Sequence, residues 1–99
     1  MDAKKIAREL RDKLRKYEDF IGLYLYGSYA KGTATQDSDI DIVGVFKTRR
    51  EQSRDVHGES LDVMLKYDVI IDFQPMTLEE LNFNWIYFDE VKKGFYYAR

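Results

Sequence analysis

Leu25-Tyr26-Gly27-Ser28-Tyr29-Ala30-Lys31-Gly32-Thr33, followed by Asp37-Ser38-Asp39-Ile40-Asp41-Ile42, runs from an apolar segment through a glycine break into an alternating acidic one. Upstream, Phe20 to Tyr26 is aromatic and β-branched enough for a strand, and Gly27-Ser28 breaks it sharply. Gly32 closes the short segment after the break. Downstream, Ser38 to Phe46 alternates, which predicts a strand with Asp39 and Asp41 on one face and Ile40 and Ile42 on the other.

Working outward, Ile6, Leu10, Leu14 and Tyr17 recur at helical spacing and predict a packing helix from about Ala3 to Tyr17. The polar run from Lys47 to Glu59 reads as an exposed connection, with an irregular helix within it as the alternative. Ser60 to Lys66 is expected to form a short helix burying Leu61, Met64 and Leu65, and Asp68 to Phe73 a third strand that ends near Pro75. Thr77 with Glu80 three residues on is a capping-box pattern opening a short helix. Trp85 to Lys93 predicts a last helix, ended by Gly94 in the left-handed conformation, before a terminal strand Phe95 to Ala98.

At a rise of about 3.3 Å per residue the two alternating carboxylates lie within roughly 7 Å along their strand, and they repel. Asp72 stands in the apolar run Val69-Ile70-Ile71-Asp72-Phe73, where an uncompensated carboxylate is costly to bury. A hard divalent cation meets that need, because Mg²⁺ prefers carboxylate oxygens and is commonly shared with substrate phosphates. Two ions held by three carboxylates make the clamp used for in-line phosphoryl or nucleotidyl displacement. The Gly-Ser turn adds backbone N–H groups that an anion can approach closely.

Gly-Ser, ten residues, then Asp-x-Asp resembles the signature of the minimal nucleotidyltransferases of the polymerase β-like superfamily, and the likeness runs over nearly the whole chain. The resemblance implies an α/β (α+β) class, a mixed β-sheet flanked by helices in the polymerase β-like nucleotidyltransferase fold. It makes residues 1–99 a single minimal nucleotidyltransferase domain, with ATP or another NTP as substrate and two Mg²⁺ ions. Gly27 and Ser28 match the triphosphate-binding turn, and Asp39 and Asp41 match the two metal-bridging catalytic carboxylates. Asp72 matches the third, which binds the catalytic metal; Asp68, four residues earlier, is the alternative. Lys31 lies where relatives often carry arginine and is either a point-charge phosphate contact or a solvated loop residue. Relatives of this size are often encoded with a helical HEPN toxin, which the nucleotidyltransferase neutralises as antitoxin, in some cases by transferring AMP to a tyrosine. A HEPN protein is therefore the expected partner, in a homo- or hetero-oligomer.

Composition bounds these readings. One small domain is expected from 99 residues, 44% of them apolar and 34% charged, with no cysteine and no apolar stretch long enough for a bilayer. Without a signal-like N-terminus, a cytoplasmic protein with no membrane association is the expectation. A net charge of -2 makes stable nucleic-acid binding unexpected. His57 has no neighbouring Cys or second His and is read as a surface residue, and Arg49, Arg50 and Arg54 as a solvated charge run. The aromatic group Phe83, Trp85, Tyr87, Phe88, Phe95, Tyr96 and Tyr97 is expected to be mostly core, with surplus area for a partner. Two rivals stand beside the enzyme: a catalytically inactive module that inhibits a HEPN partner by contact, and transfer to a small molecule or an RNA end.

Overall fold

Asp2 accepts a hydrogen bond from the Lys5 N–H at 3.1 Å and so caps the first helix, α1 (Ala3–Leu14), whose buried stripe is Ala3, Ile6, Ala7, Leu10 and Leu14. The computed structural model describes residues 1–48 and 53–99 of the chain. Among the described residues eight further elements follow in order: β1 (Phe20–Tyr26), α2 (Ser28–Lys31), β2 (Ile40–Phe46), α3 (Ser53–Tyr67), β3 (Ile71–Thr77), α4 (Leu78–Phe83), α5 (Trp85–Val91) and β4 (Phe95–Ala98). The strands form one mixed sheet in the order β3-β2-β1-β4. The β1 strand pairs antiparallel with both β2 and β4, and β2 pairs parallel with β3. This is the mixed sheet flanked by helices that the sequence predicts.

Alternation gives the sheet two covered faces. On one, Leu23, Leu25, Ile40, Ile42, Ile71 and Phe73 pack under α1 and α3. On the other, Val43 and Val45 meet Leu81 of α4 and Val91 of α5, with Tyr24, Tyr26, Met76, Tyr87 and Phe88 around them. Among the described residues no helix is long and apolar enough to cross a membrane.

Several sequence expectations shift. The first helix stops at Leu14, three residues before Tyr17, because the chain must turn to enter β1, and the Arg99 guanidinium donates to the carbonyls of Arg15 and Tyr17 at that end. The helix allowed within the polar run after Lys47 is regular and continuous with the one expected from Ser60: α3 begins at Ser53, and its core face is Val56, Glu59, Ser60 and Val63. Extending the helix backward rotates its stripe, so Leu61 and Leu65 face solvent and only Met64 is half-buried. Buried Glu59 is reached by the Lys16 ammonium, which lets a carboxylate sit in the core face. His57 is exposed, with its ring edge-on to Phe73 at 5.7 Å. Arg49, Arg50 and the Arg54 side chain lie outside the described residues.

The third strand begins at Ile71 and runs through Pro75 to Thr77, which an edge strand tolerates because a missing N–H breaks no outer ladder. The capping box of α4 is as expected: Thr77 Oγ1 accepts from the Glu80 N–H and Glu80 Oε1 accepts from the Thr77 N–H, both at 3.0 Å. Thr77→Ala should lower stability by about 1 kcal/mol in urea unfolding, with the slope unchanged. Gly94 ends α5 for a different reason from the expected one. Its φ is not positive; a β-carbon there would overlap the Leu25 carbonyl, so glycine is needed for the close pass against β1.

Candidate functional site

The Gly27 φ of 74° lies in the left-handed half of backbone space, which releases the chain from β1 directly into the single turn of α2. The Gly27 carbonyl accepts from the N–H groups of Ala30 and Lys31, and Gly32, at φ 76°, closes the turn. By helix geometry the amides of Ser28 and Tyr29 have no carbonyl within that turn to bond. The Thr35–Ser38 pair then ties the return loop: the Thr35 N–H donates to Ser38 Oγ at 2.9 Å and the Ser38 N–H to the Thr35 carbonyl at 3.1 Å. Asp39 follows at once and is exposed, one residue before β2 starts. It therefore precedes the strand, where the alternation places it inside, because the loop's own hydrogen bonds hold the chain until Ile40.

Register lines up the central residues. Tyr26 of β1 is opposite Asp41 of β2, and Asp41 is opposite Asp72 of β3. Directly opposed residues share a face, so Tyr26, Asp41 and Asp72 form one row on the side covered further along by α4 and α5. Asp41 Oδ2 occupies the place a β-carbon would take at Gly27, which brings the turn and the row into contact. Burial, then the charges of Asp72 and Asp39, push the Asp41 carboxyl above its ordinary value.

Behind the row stands a phenol pair that the sequence reading omits. The Tyr87 hydroxyl of α5 donates to Gln74 Oε1 at 3.3 Å and accepts from Tyr26 at 2.7 Å, so a hydrogen-bonded chain crosses from β1 over β2 to β3. Burial, the Tyr87 hydrogen bond and the field of Asp41 and Asp72 hold the Tyr26 phenol well above the ordinary tyrosine range; burial and the same two carboxylates raise that of Tyr87. Alternation already sets Tyr26 on the Asp41 face, a signal available in the sequence. Nothing local points to Tyr87, which arrives by tertiary packing.

The remaining candidates are placed elsewhere. Asp68 is outside β3, at φ 52° in the turn that ends α3, and lines a cavity of about 340 Å³ together with Tyr29, Gln36, Asp37, Ser38 and Asp39. Asp72, not Asp68, is the residue opposite Asp41. Lys31 is exposed and lies 3.8 Å from Glu90 of α5.

Asp39, Asp41 and Asp72 have no Lys or Arg counter-ion among the described residues. Like-charged, oxygen-only and partly solvated, they fit a hard divalent ion in donor chemistry. Among the described residues no three Asp, Glu or His groups already converge to hold an ion, so this is a row open on one side rather than a closed cage. Mg²⁺ in particular takes one or two carboxylates plus substrate phosphates.

A family model described as "Nucleotidyltransferase domain" matches residues 4–96. A relative from Methanocaldococcus jannaschii, named "Putative protein adenylyltransferase MJ1305", is 33% identical over 86 residues, covering 80% of this chain and 58% of the relative. Among solved structures, a chain of the toxin-antitoxin MntA-HpeT mutant aligns with a TM-score of 0.58 at 22% identity over 77% of this chain and 58% of that one. A structure named "putative nucleotidyltransferase from Sulfolobus solfataricus" aligns at 0.56 and 23% identity over 95% of this chain and 76% of that one. These two likenesses carry the fold alone, and the chain spans little more than half the length of its curated relative. With the family model covering nearly the whole sequence, the chain belongs to the nucleotidyltransferase domain family.

Proposed function

We propose that the protein transfers AMP from ATP, with Mg²⁺, to a hydroxyl on a partner protein, and that the partner is a HEPN toxin which this cytoplasmic antitoxin neutralises. The observation that carries the reading is the row Tyr26–Asp41–Asp72 with the Asp41 carboxylate against Gly27. In one small volume it joins a turn suited to phosphates with carboxylates that have no Lys or Arg counter-ion among the described residues. The names of the Methanocaldococcus relative and of the MntA-HpeT structure support the acceptor class.

Two Mg²⁺ ions, held by Asp39, Asp41 and Asp72, would supply charge neutralisation and in-line alignment when bound. The chain's own part is orientation. The amides of Ser28 and Tyr29 face the triphosphate, while the Asp41–Gly27 contact keeps the acidic row at a set distance from it. Asp72, exposed on the edge strand, stands where an acceptor hydroxyl can deliver its proton. The acceptor oxygen forms a bond to the α-phosphorus as the bond from that phosphorus to the bridging oxygen breaks, and pyrophosphate leaves. Catalysis rests on positioning and charge rather than on a covalent enzyme intermediate.

The test is transfer of label from α-labelled ATP and Mg²⁺ to a co-purified HEPN partner. Label on the partner, lost with Asp39→Asn, is expected. Partner inhibition that persists in Asp39→Asn without any labelling would replace the enzyme by a contact inhibitor.

A further inference from the structure

Helix α5 divides the C-terminal aromatics. Tyr87 and Phe88 pack inward, while Phe83 and Trp85 stay in water with Ile86, and Phe95 and Tyr96 are exposed on β4, so the group is not mostly core as the sequence reading expects. Glu90 follows Tyr87 by three positions and so lies one turn further along the same side of the helix. That side meets the acidic row, because the Tyr87 hydroxyl is bonded to Tyr26, the row's first member.

Two ammonium groups from separate elements converge on Glu90. Its Oε1 accepts from Lys93 at 2.9 Å, and its Oε2 lies 3.8 Å from Lys31, the residue that ends α2 after the glycine turn. The Lys93 hydrogen bond, then the charges of Lys93 and Lys31, hold the Glu90 carboxyl below its ordinary value. The corner that carries Lys93 is itself fixed to the turn: the place of a β-carbon at the next residue, Gly94, is taken by the Leu25 carbonyl, two residues before Gly27. Lys92 has other partners, with its ammonium on Asp89 at 2.8 Å and over the Phe88 ring, 5.5 Å from the centroid.

Neither Lys31 nor Lys93 serves as counter-ion to the nearby row; both are taken up by one exposed carboxylate. Exposed ion pairs contribute little to stability, so holding the fold together is a weak reason for this arrangement. Its chemistry is that of an anion seat. Phosphate oxygens are strong acceptors for lysine, which binds them as a point charge, and two linked phosphates can meet two ammonium groups at once. A carboxylate tethered on α5 can fill such a seat and can also leave it.

We propose that Lys31 and Lys93 form a seat for the β- and γ-phosphates of the nucleotide, and that Glu90 is its placeholder, a positioning residue that gives up both lysines when the oligophosphate arrives. The seat's place in the reaction rests on the proposed transfer activity; its preference for an oligophosphate does not. Exchanging one anion for another leaves neither ammonium without a partner in either state. With the nucleotide bound, the two lysines hold the phosphates that depart as pyrophosphate.

Isothermal titration in the presence of Mg²⁺ tests the seat with α,β-methylene-ATP, AMP and inorganic tripolyphosphate, the last being free of any nucleoside. Lys93→Gln should weaken the ATP analogue and tripolyphosphate about fivefold or more and leave AMP within about twofold of wild type. Glu90→Gln, which frees both lysines, should tighten the two polyphosphates about threefold or more. Lys92→Gln removes the same charge one residue away and should change none of them by more than about twofold. Polyphosphate binding that is normal in Lys93→Gln, weakened as much by Lys92→Gln, or weakened by Glu90→Gln overturns the inference and leaves the transfer reading standing. Wild type that binds neither polyphosphate overturns it as well. Lysine and Glu90 effects as expected, without any label reaching a partner from α-labelled ATP, would keep the seat and remove the transfer.

Discussion

Asp41→Asn is expected to reduce nucleotidyl transfer about a thousandfold or more while leaving the fold intact. In the proposed transfer several kcal/mol of transition-state charge stabilisation would depend on ions at this row, and 1.36 kcal/mol is a factor of ten. Asp41 is the middle member, opposite both Tyr26 and Asp72, so no neighbour can take its place. Single-turnover labelling measures the loss, and near-wild-type transfer would remove Asp41 from the chemistry. Stability should move the other way. Because the folded state raises the Asp41 pKa, it binds the proton more tightly than the unfolded chain does. The contribution of this group is therefore most favourable below the unfolded value, near 3.9, and is lost as pH rises through the folded one. In chelator-containing buffer the urea midpoint of Asp41→Asn should gain on wild type across that interval. A difference independent of pH would refute the upward shift that burial and the neighbouring carboxylates impose on Asp41.

Gly27→Ala should be almost as damaging to transfer, about a hundredfold or more, by a different route. An alanine at φ 74° costs about 1–2 kcal/mol of backbone strain. Its β-carbon would also fall on Asp41 Oδ2, so the carboxylate or the turn must move. A displacement near 1 Å is enough for a hundredfold loss when positioning carries the catalysis. Gly32→Ala is the control: its φ of 76° imposes similar strain, yet the added carbon meets no described residue beyond its own chain neighbours within 4 Å. Both variants should unfold at lower urea, but only Gly27→Ala should lose most of its activity. Equal activity losses would mean that turn strain, not the Asp41 contact, is what matters.

The signature was legible because its physics is local. Period-two alternation sets Asp41 opposite in facing to Ile40 and Ile42, a glycine break forces the turn, and Thr77 with Glu80 announces its own cap. Where expectations slipped, a distant partner had intervened. The stripe of α3 is set by a start at Ser53 and by Lys16 reaching Glu59; Gly94 answers to the Leu25 carbonyl on another strand. That Asp72 lies in register with Asp41 while Asp68 precedes the strand follows from the parallel pairing with β2.

Taken alone, then, the order of residues determined that a strand, a glycine turn and an acidic strand would follow one another, since each depends on neighbours a few positions away. Which carboxylates stand side by side, that two phenols and Gln74 close their rear, and that Phe83, Trp85 and Ile86 are left facing water were decided only by the folded chain. Cross-strand register and helix docking join residues tens of positions apart, and no local preference encodes those distances.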